Sequence, residues 1–341
     1  MNVLITGGAG FIGSNLVHYI SQFRPNWNMT VVDLLTYAGN LQNISSVLEG
    51  PKCKFVRADI ADSAAMSKVF SSTRFDLVFH LAAESHVDRS IMGASAFVRT
   101  NVLGTQTLLD LARSSDVQRF VHVSTDEVYG SLGREGRFVE TTPLDPTSPY
   151  AASKAASDLM VLACYKTHRF PVLVTRCTNN YGPYQFPEKF LPLFISNALE
   201  DKKLPLYGDG TNVRSWIHVN DHCEGLLRVA EKGREGEVYN LGGEEAAELE
   251  NRYVAELLLQ ALKKPKELIE FVKDRPAHDL RYAVDCSKAQ RELGWMPAIS
   301  FEEGLQETVK WYSENRVWWE AIKSGEYLSY YQENYGERLS S

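Results

Sequence analysis

The sequence predicts an α/β protein built on a doubly wound parallel sheet, with a smaller mixed α/β substrate-binding domain attached. Three observations carry this prediction. A β-type run, "NVLIT" at 2–6, passes through the glycine turn "GGAG" into a segment whose apolar residues recur at helical spacing. A second run, "MTVVD", ends in the acidic Asp33. Four further β-type runs alternate with helix-like segments and are apolar on both faces, as strands covered by helices on two sides must be.

Each element has its own justification. Gly7, Gly10 and Gly13 fit G-x-x-G-x-x-G, and Gly8, Gly10 and Gly13 fit G-x-G-x-x-G. Glycines permit the tight turn and let the backbone approach a pyrophosphate, which then rests on the positive end of the following helix. Asp33 falls twenty residues past Gly13, where a carboxylate accepts hydrogen bonds from both ribose hydroxyls of an adenosine and repels a 2′-phosphate. The expected cofactor is therefore NAD. The later runs are "KFVRADIAD" (54–62), "FDLVFHLAAES" (75–85), "RFVHVST" (119–125) and "FPVLVTRC" (170–177). Between them lies "NVLGTQTLLDLARSS", in which Val102, Leu108, Leu109 and Ala112 share a helical face. Ligands of such Rossmann-type sheets bind at the carboxyl ends of the strands, where Asp59, Ile60, Ala82, Ala83, Ser124 and Thr125 fall.

Composition narrows the partners. A chain of 341 residues, 44% hydrophobic, buries a full core and exceeds a minimal single domain. The formal net charge of −7, without a basic block, argues against nucleic acid or an anionic membrane and for a small-molecule ligand. Cys53, Cys164, Cys177, Cys223 and Cys286 form no Cys-x-x-Cys pair, so neither a disulfide framework nor a zinc site is expected. No apolar stretch reaches membrane-spanning length and no signal-peptide pattern opens the chain, so the expected location is the cytoplasm. His218 and His222 have metal-ligand spacing on a helix but lack the glutamate of a zincin, and they read as structural.

Two constellations carry chemistry. In "PYAASKAA", Tyr150 and Lys154 are four apart on a predicted helix, which puts phenol and ammonium on one face. A tyrosine acting as a base near neutrality needs its pKa lowered by roughly 3 units, and a neighbouring lysine and a cationic nicotinamide are placed to do it. In "STDEVYG", Asp126 and Glu127 stand side by side at the end of the predicted central strand. The glycine fingerprint, a strand ending in Ser-Thr, and Tyr-x-x-x-Lys together resemble the extended short-chain dehydrogenase/reductase family. Members that only epimerise a sugar nucleotide usually carry small uncharged residues after the Ser/Thr. Once C4 of a hexose is a ketone, the C5 hydrogen is acidic and the C6 hydroxyl is a β leaving group. Two carboxylates in different environments divide the roles of base and acid in removing water.

Within that family the chain resembles the sugar-nucleotide 4,6-dehydratases from Met1 to about residue 320. The stretches are "TGGAGFIGSN", "AAESHVDRSI", "STDEVYGSLG", "SPYAASKAASD", "TRCTNNYGPYQFPEKFLP", "LPLYGDGTNVRSWIHVNDH", "EVYNLGG" and "DRPAHDLRYAVD". The resemblance implies dehydration of dTDP-glucose to dTDP-4-keto-6-deoxy-glucose, through C4 oxidation by bound NAD, loss of water across C5–C6 and hydride return to C6. It makes Asp126 the C6 proton donor, Glu127 the C5 base, Tyr150 the C4 base, Lys154 its electrostatic partner and Thr125 the residue that binds the C4 hydroxyl. It adds Phe11, Ile12, Asp59, Ile60, Ala82, Thr100 and Asn180 as cofactor contacts. Ser85, Asn179, Lys189, Leu191, Pro205, Tyr207, Arg214, Asn251, Arg275 and His278 would contact the sugar nucleotide, and a homodimer would form through helices near 101–114 and 151–168. Ser215, Ala277 and the stretch after Gly243 depart from the family pattern, all at the nucleotide end. UDP-glucose and UDP-N-acetylglucosamine are alternative substrates, a noncatalytic NAD-sensing module is an alternative of another class, and cell-wall rhamnose and other deoxysugar pathways share this chemistry. The NAD-binding domain should comprise 1–178 with about 212–241, and the nucleotide-sugar domain about 179–211 and 242–330.

Overall fold

The computed structural model describes residues 1–274 and 279–323. Among the described residues twelve strands run in chain order: β1 (Asn2–Thr6), β2 (Asn28–Asp33), β3 (Cys53–Arg57), β4 (Leu77–His80), β5 (Arg119–Thr125), β6 (Val172–Cys177), β7 (Asn179–Tyr181), β8 (Leu204–Tyr207), β9 (Val213–His218), β10 (Val238–Leu241), β11 (Glu248–Glu250) and β12 (Ile269–Val272). Seven of them form one sheet in the order β10-β6-β5-β4-β1-β2-β3, every pairing parallel. All six predicted β-type runs are strands of this sheet, and β10 extends it beyond β6.

The sheet is apolar on both faces because helices cover both. Val3, Ile5, Val121 and Leu173 point into one core with the helices Phe11–Phe23 and Val219–Lys232. Leu4, Val78, Phe120 and Val172 point into the other, under the helices Ser63–Ser72, Thr105–Ser114 and Pro149–His168. Adjacent residues thus enter opposite cores, the period of two that a strand imposes. The order reverses between β1 and β4, and in such sheets the crevice for a ligand opens at that switch point.

A further core gathers Leu191, Phe194, Leu206, Trp216, Val254, Leu258, Phe301, Tyr312 and Trp319 around the helices Phe190–Leu199, Asn251–Leu262 and Phe301–Glu314. Its sheets are small: β11-β9-β7, and β12-β8. The helix Phe301–Glu314 starts in a capping box, Ser300 with Glu303, the kind of start that stabilises a helix by about 1 kcal/mol. β9 pairs with β7 and β11 rather than with the large sheet, although its Ile217 packs into the first unit's core. Ala289, Leu293 and Trp295, which lie inside 242–330, pack into the first unit's core as well.

Candidate active site

A cavity of about 310 Å³ opens along the carboxyl ends of β1, β2, β4, β5 and β6. Its lining includes every residue expected to bind the cofactor: Gly7, Gly10, Phe11, Ile12, Gly13, Asp33, Asp59, Ile60, Ala82, Ala83, Thr100, Tyr150, Lys154 and Asn180. It also includes the whole expected catalytic set, Thr125, Asp126, Glu127, Tyr150 and Lys154, so the two constellations share one wall.

The cofactor end fits a dinucleotide. Gly7 has φ +72°, and a Cβ there would stand 2.5 Å from the Ala82 nitrogen; a Cβ on Gly13 would stand 2.1 Å from the Gly7 carbonyl oxygen. Gly10 caps the helix Phe11–Phe23 with no side chain of its own, leaving first-turn N–H groups for an anion. Asp33, at the end of β2, accepts from Ala9 N–H (3.0 Å, Oδ2) and Leu35 N–H (2.8 Å, Oδ1), which aims the carboxylate and leaves lone pairs on both oxygens for hydroxyls. Asp59 is held by Arg99 at 2.5 Å. Thr100 sits in a stretch of π-helix, Val98–Gly104, a backbone form that recurs at functional sites. Asn180 is fixed by His222 Nδ1 (2.9 Å) and the Thr178 carbonyl (3.0 Å), so His222 supports the site from behind, while His218 caps its own helix.

The chemical end is set by a strand end and a capped helix. Thr125 closes β5 and accepts from Glu127 N–H at 3.3 Å, turning the chain so that Asp126 enters the interior and Glu127 stays half-buried. Asp126 is 2% exposed, and its Oδ2 has no hydrogen-bond partner among the described residues. Burial first, then the neighbouring Glu127, pushes its carboxyl up to about 8 against the pull of Arg214, so it carries a proton at neutral pH. Ser148 caps the helix Pro149–His168 by accepting from Ala151 N–H at 3.1 Å, and Pro149 starts it, bringing Tyr150 and Lys154 to the wall. Lys154 Nζ donates to the Val123 carbonyl at 2.8 Å, and burial lowers it to about 8.

In the chain alone, burial and then Glu127 hold the Tyr150 phenol well above 10, opposed by its hydrogen bond to Thr125. Desolvation thus outweighs the opposing contact from Thr125, and the Lys154 ammonium is committed to a backbone carbonyl.

Of the expected sugar-nucleotide contacts, Ser85, Thr125, Asn179 and Lys189 line the cavity, and Lys189 Nζ donates to the Ser85 carbonyl at 3.0 Å. Leu191, Pro205, Tyr207, Arg214 and Asn251 are not on its wall. Leu191 and Pro205 are buried, Tyr207 donates to Asp88 (3.3 Å), and Asn251 opens a helix with its N–H on the Asn212 carbonyl (2.9 Å). Arg214 is buried, donates to the Val213 and Asp279 carbonyls (2.8 and 3.1 Å), and stacks 4.5 Å over Tyr282. Arg275 and His278 lie outside the described residues. Sequence reasoning missed Glu188, a buried wall residue paired with Arg89 at 3.2 Å. It sits in the quoted stretch "FPEKF", but its partner is 99 residues away, a separation no local pattern reveals.

The family described as GDP-mannose 4,6 dehydratase matches residues 4–308. A dTDP-glucose 4,6-dehydratase of Streptomyces antibioticus is 52% identical over 95% of this chain and 96% of its own length. Among solved structures, the dTDP-glucose 4,6-dehydratase DesIV of Streptomyces venezuelae, with NAD and TYD bound, aligns at TM-score 0.91 with 51% identity, covering 95% of this chain and 100% of that one. The Bacillus anthracis dTDP-glucose 4,6-dehydratase, in complex with NAD, aligns at TM-score 0.89 with 50% identity over 95% of this chain and 100% of that one.

Proposed function

This chain belongs to the dTDP-glucose 4,6-dehydratase family, and from that premise we propose how its own residues run the reaction. It is an NAD-dependent hydro-lyase that converts dTDP-glucose to dTDP-4-keto-6-deoxy-glucose. Bound NAD would supply a temporary store for a hydride and a positive ring that favours the Tyr150 phenolate.

Thr125 orients the C4 hydroxyl and Tyr150 receives its proton. With C4 a ketone, Glu127 removes the C5 proton, and Asp126, protonated in its buried position, gives its proton to the C6 oxygen as that oxygen leaves as water. Glu127 later returns a proton to C5. The proton gained at Tyr150 matches the one Asp126 gave, so the starting state returns once Tyr150 releases its proton and Asp126 takes one up. The observation that carries this reading is the buried Asp126 beside the half-buried Glu127 on the wall that also holds Tyr150 and Asp33. By their charge Lys189, Arg214 and Arg275 are assigned to the nucleotide diphosphate, and Ser85, Asn179, Leu191, Pro205, Tyr207, Asn251 and His278 to the remaining sugar-nucleotide contacts.

The chain works as a homodimer through the helices ending at Ser114 and His168, where Val98 (55%), Leu103 (49%), Leu159 (59%) and Met160 (38%) present apolar surface. All five cysteines are unpaired, which supports a reducing compartment, the cytoplasm. The product feeds deoxysugar synthesis, rhamnose included.

Mass spectrometry tests the reading. Purified protein is incubated in heavy water with dTDP-glucose, UDP-glucose, UDP-N-acetylglucosamine and GDP-mannose separately. Loss of water with deuterium gained at C5, for dTDP-glucose alone, is expected; dehydration of another donor moves the substrate, and dehydration of none overturns the mechanism.

A further inference from the structure

One contact ties the last described helix to the cofactor turn. Trp318, on the helix Arg316–Ile322, donates its indole N–H to Asn43 Oδ1 at 2.8 Å. Asn43 is 2% exposed, and its amide nitrogen donates to the Ala9 carbonyl at 3.0 Å. Its own carbonyl meets His18 Nε2 at 2.7 Å, and its N–H donates to the Asn40 carbonyl at 3.0 Å. Ala9 lies between Gly8 and Gly10 in the glycine turn. Its N–H donates to Asp33 at 3.0 Å, and its carbonyl also receives the Asn40 N–H at 3.0 Å. The pyrophosphate turn and the ribose carboxylate therefore meet at Ala9, and Asn43 holds Ala9 from behind.

The amide of Asn43 is oriented by opposed partners, a donor from Trp318 on its oxygen and an acceptor from Ala9 on its nitrogen. Without the indole N–H, the Asn43 oxygen loses that donor, a cost for a buried group. The same indole packs 5.1 Å from Trp311 and 6.1 Å from Tyr184. Tyr184 has φ +65°, left-handed backbone that a non-glycine residue keeps only where packing enforces it. Tyr184 leads into Gln185, Phe186, Glu188 and Lys189 of the cavity wall, and Tyr312, on the preceding helix, donates to the Gln185 carbonyl.

We propose that Asn43 and Trp318 are positioning residues for NAD: Trp318 sets the Asn43 amide, the amide sets Ala9, and the glycine turn and Asp33 are thereby held in the arrangement that retains the dinucleotide. A helix packed on the sugar-nucleotide unit thus governs how tightly the other unit keeps its cofactor. This rests on the NAD reading above. Retention matters because the cycle returns its hydride to the same sugar, and cofactor lost midway strands an unsaturated intermediate.

The test uses the full chain freed of NAD, with NAD and dTDP affinities measured by titration calorimetry. Trp318→Phe keeps the ring and deletes the N–H; it is expected to raise the NAD Kd about 3- to 10-fold and leave the dTDP Kd within about twofold. Asn43→Ala is expected to weaken NAD at least as much, and the double variant no more than Asn43→Ala alone, since Trp318 acts through Asn43. A merely structural role lowers the melting temperature without splitting the two affinities. The proposal is overturned if folded Trp318→Phe binds NAD as the wild type does, or if the two affinities fall together. Should Asn43→Ala fail to fold, Trp318→Phe decides alone. A wild-type chain that binds no NAD would overturn the cofactor reading, and this proposal with it.

Discussion

The two ends of the site are built on different principles. At the catalytic end, Thr125, Asp126, Tyr150 and Lys154 come from the end of one strand and the first turns of one 20-residue helix, both packed on the large sheet. At the nucleotide end, Tyr207, Arg214 and Asn251 come from β8, β9 and a helix of the second unit, and each is already engaged by other parts of the chain. Regular elements place reacting atoms directly, so a local motif is enough to find them. The second unit places its groups through long-range contacts, and there a motif names the residue without locating it.

Variants that separate the two ends should separate kinetic parameters. Tyr150→Phe should lower kcat about 10³-fold while NAD content and KM hold, read by single-turnover absorbance and bound-nucleotide analysis. Glu127→Gln should lower kcat about 10²-fold and abolish deuterium incorporation at C5; retained incorporation would assign the base elsewhere.

Asp126 offers a sharper test, because activity and stability should move in opposite directions. Its carboxyl rises from 3.8 in the unfolded chain to about 8 in the folded one, so between those values the folded state binds a proton that the unfolded state has released. The stability it contributes is full below pH 3.8 and is lost as pH rises through 8. Asp126→Asn should therefore cut kcat about 10- to 100-fold and yet raise the melting temperature at pH 8 by about 2 to 5 °C. In the wild type, kcat should fall on the alkaline side of about 8, as the acid loses its proton.

The smallest effect belongs to the nucleotide end. Arg214→Lys keeps the charge that acts on Asp126 but loses the planar fork stacked on Tyr282. We expect KM for dTDP-glucose to rise about 10-fold with kcat within about twofold, and the alkaline limb to stay in place. A collapse of kcat instead would make Arg214 part of the catalytic floor and dissolve the contrast between the two ends.

The sequence by itself determined what depends on neighbours along the chain. The glycine turn, Asp33 at a strand end, Thr125-Asp126-Glu127 after an apolar run and the Tyr150–Lys154 spacing are local, because strand and helix periods convert sequence offsets directly into shared faces. Tertiary structure alone decided what depends on desolvation and distant partners. Adjacent carboxylates are equivalent in sequence, yet the turn at Thr125 buries Asp126 and leaves Glu127 half-buried, and only burial makes one an acid. Tyr150 beside Lys154 reads as an activated base, and in the folded chain burial raises the phenol while the ammonium turns to Val123, so the lowering would fall largely to the bound cofactor's positive ring. Glu188 with Arg89, and Trp318 with Asn43, meet across 99 and 275 residues, distances over which a hydrogen bond leaves no periodic trace in the chain.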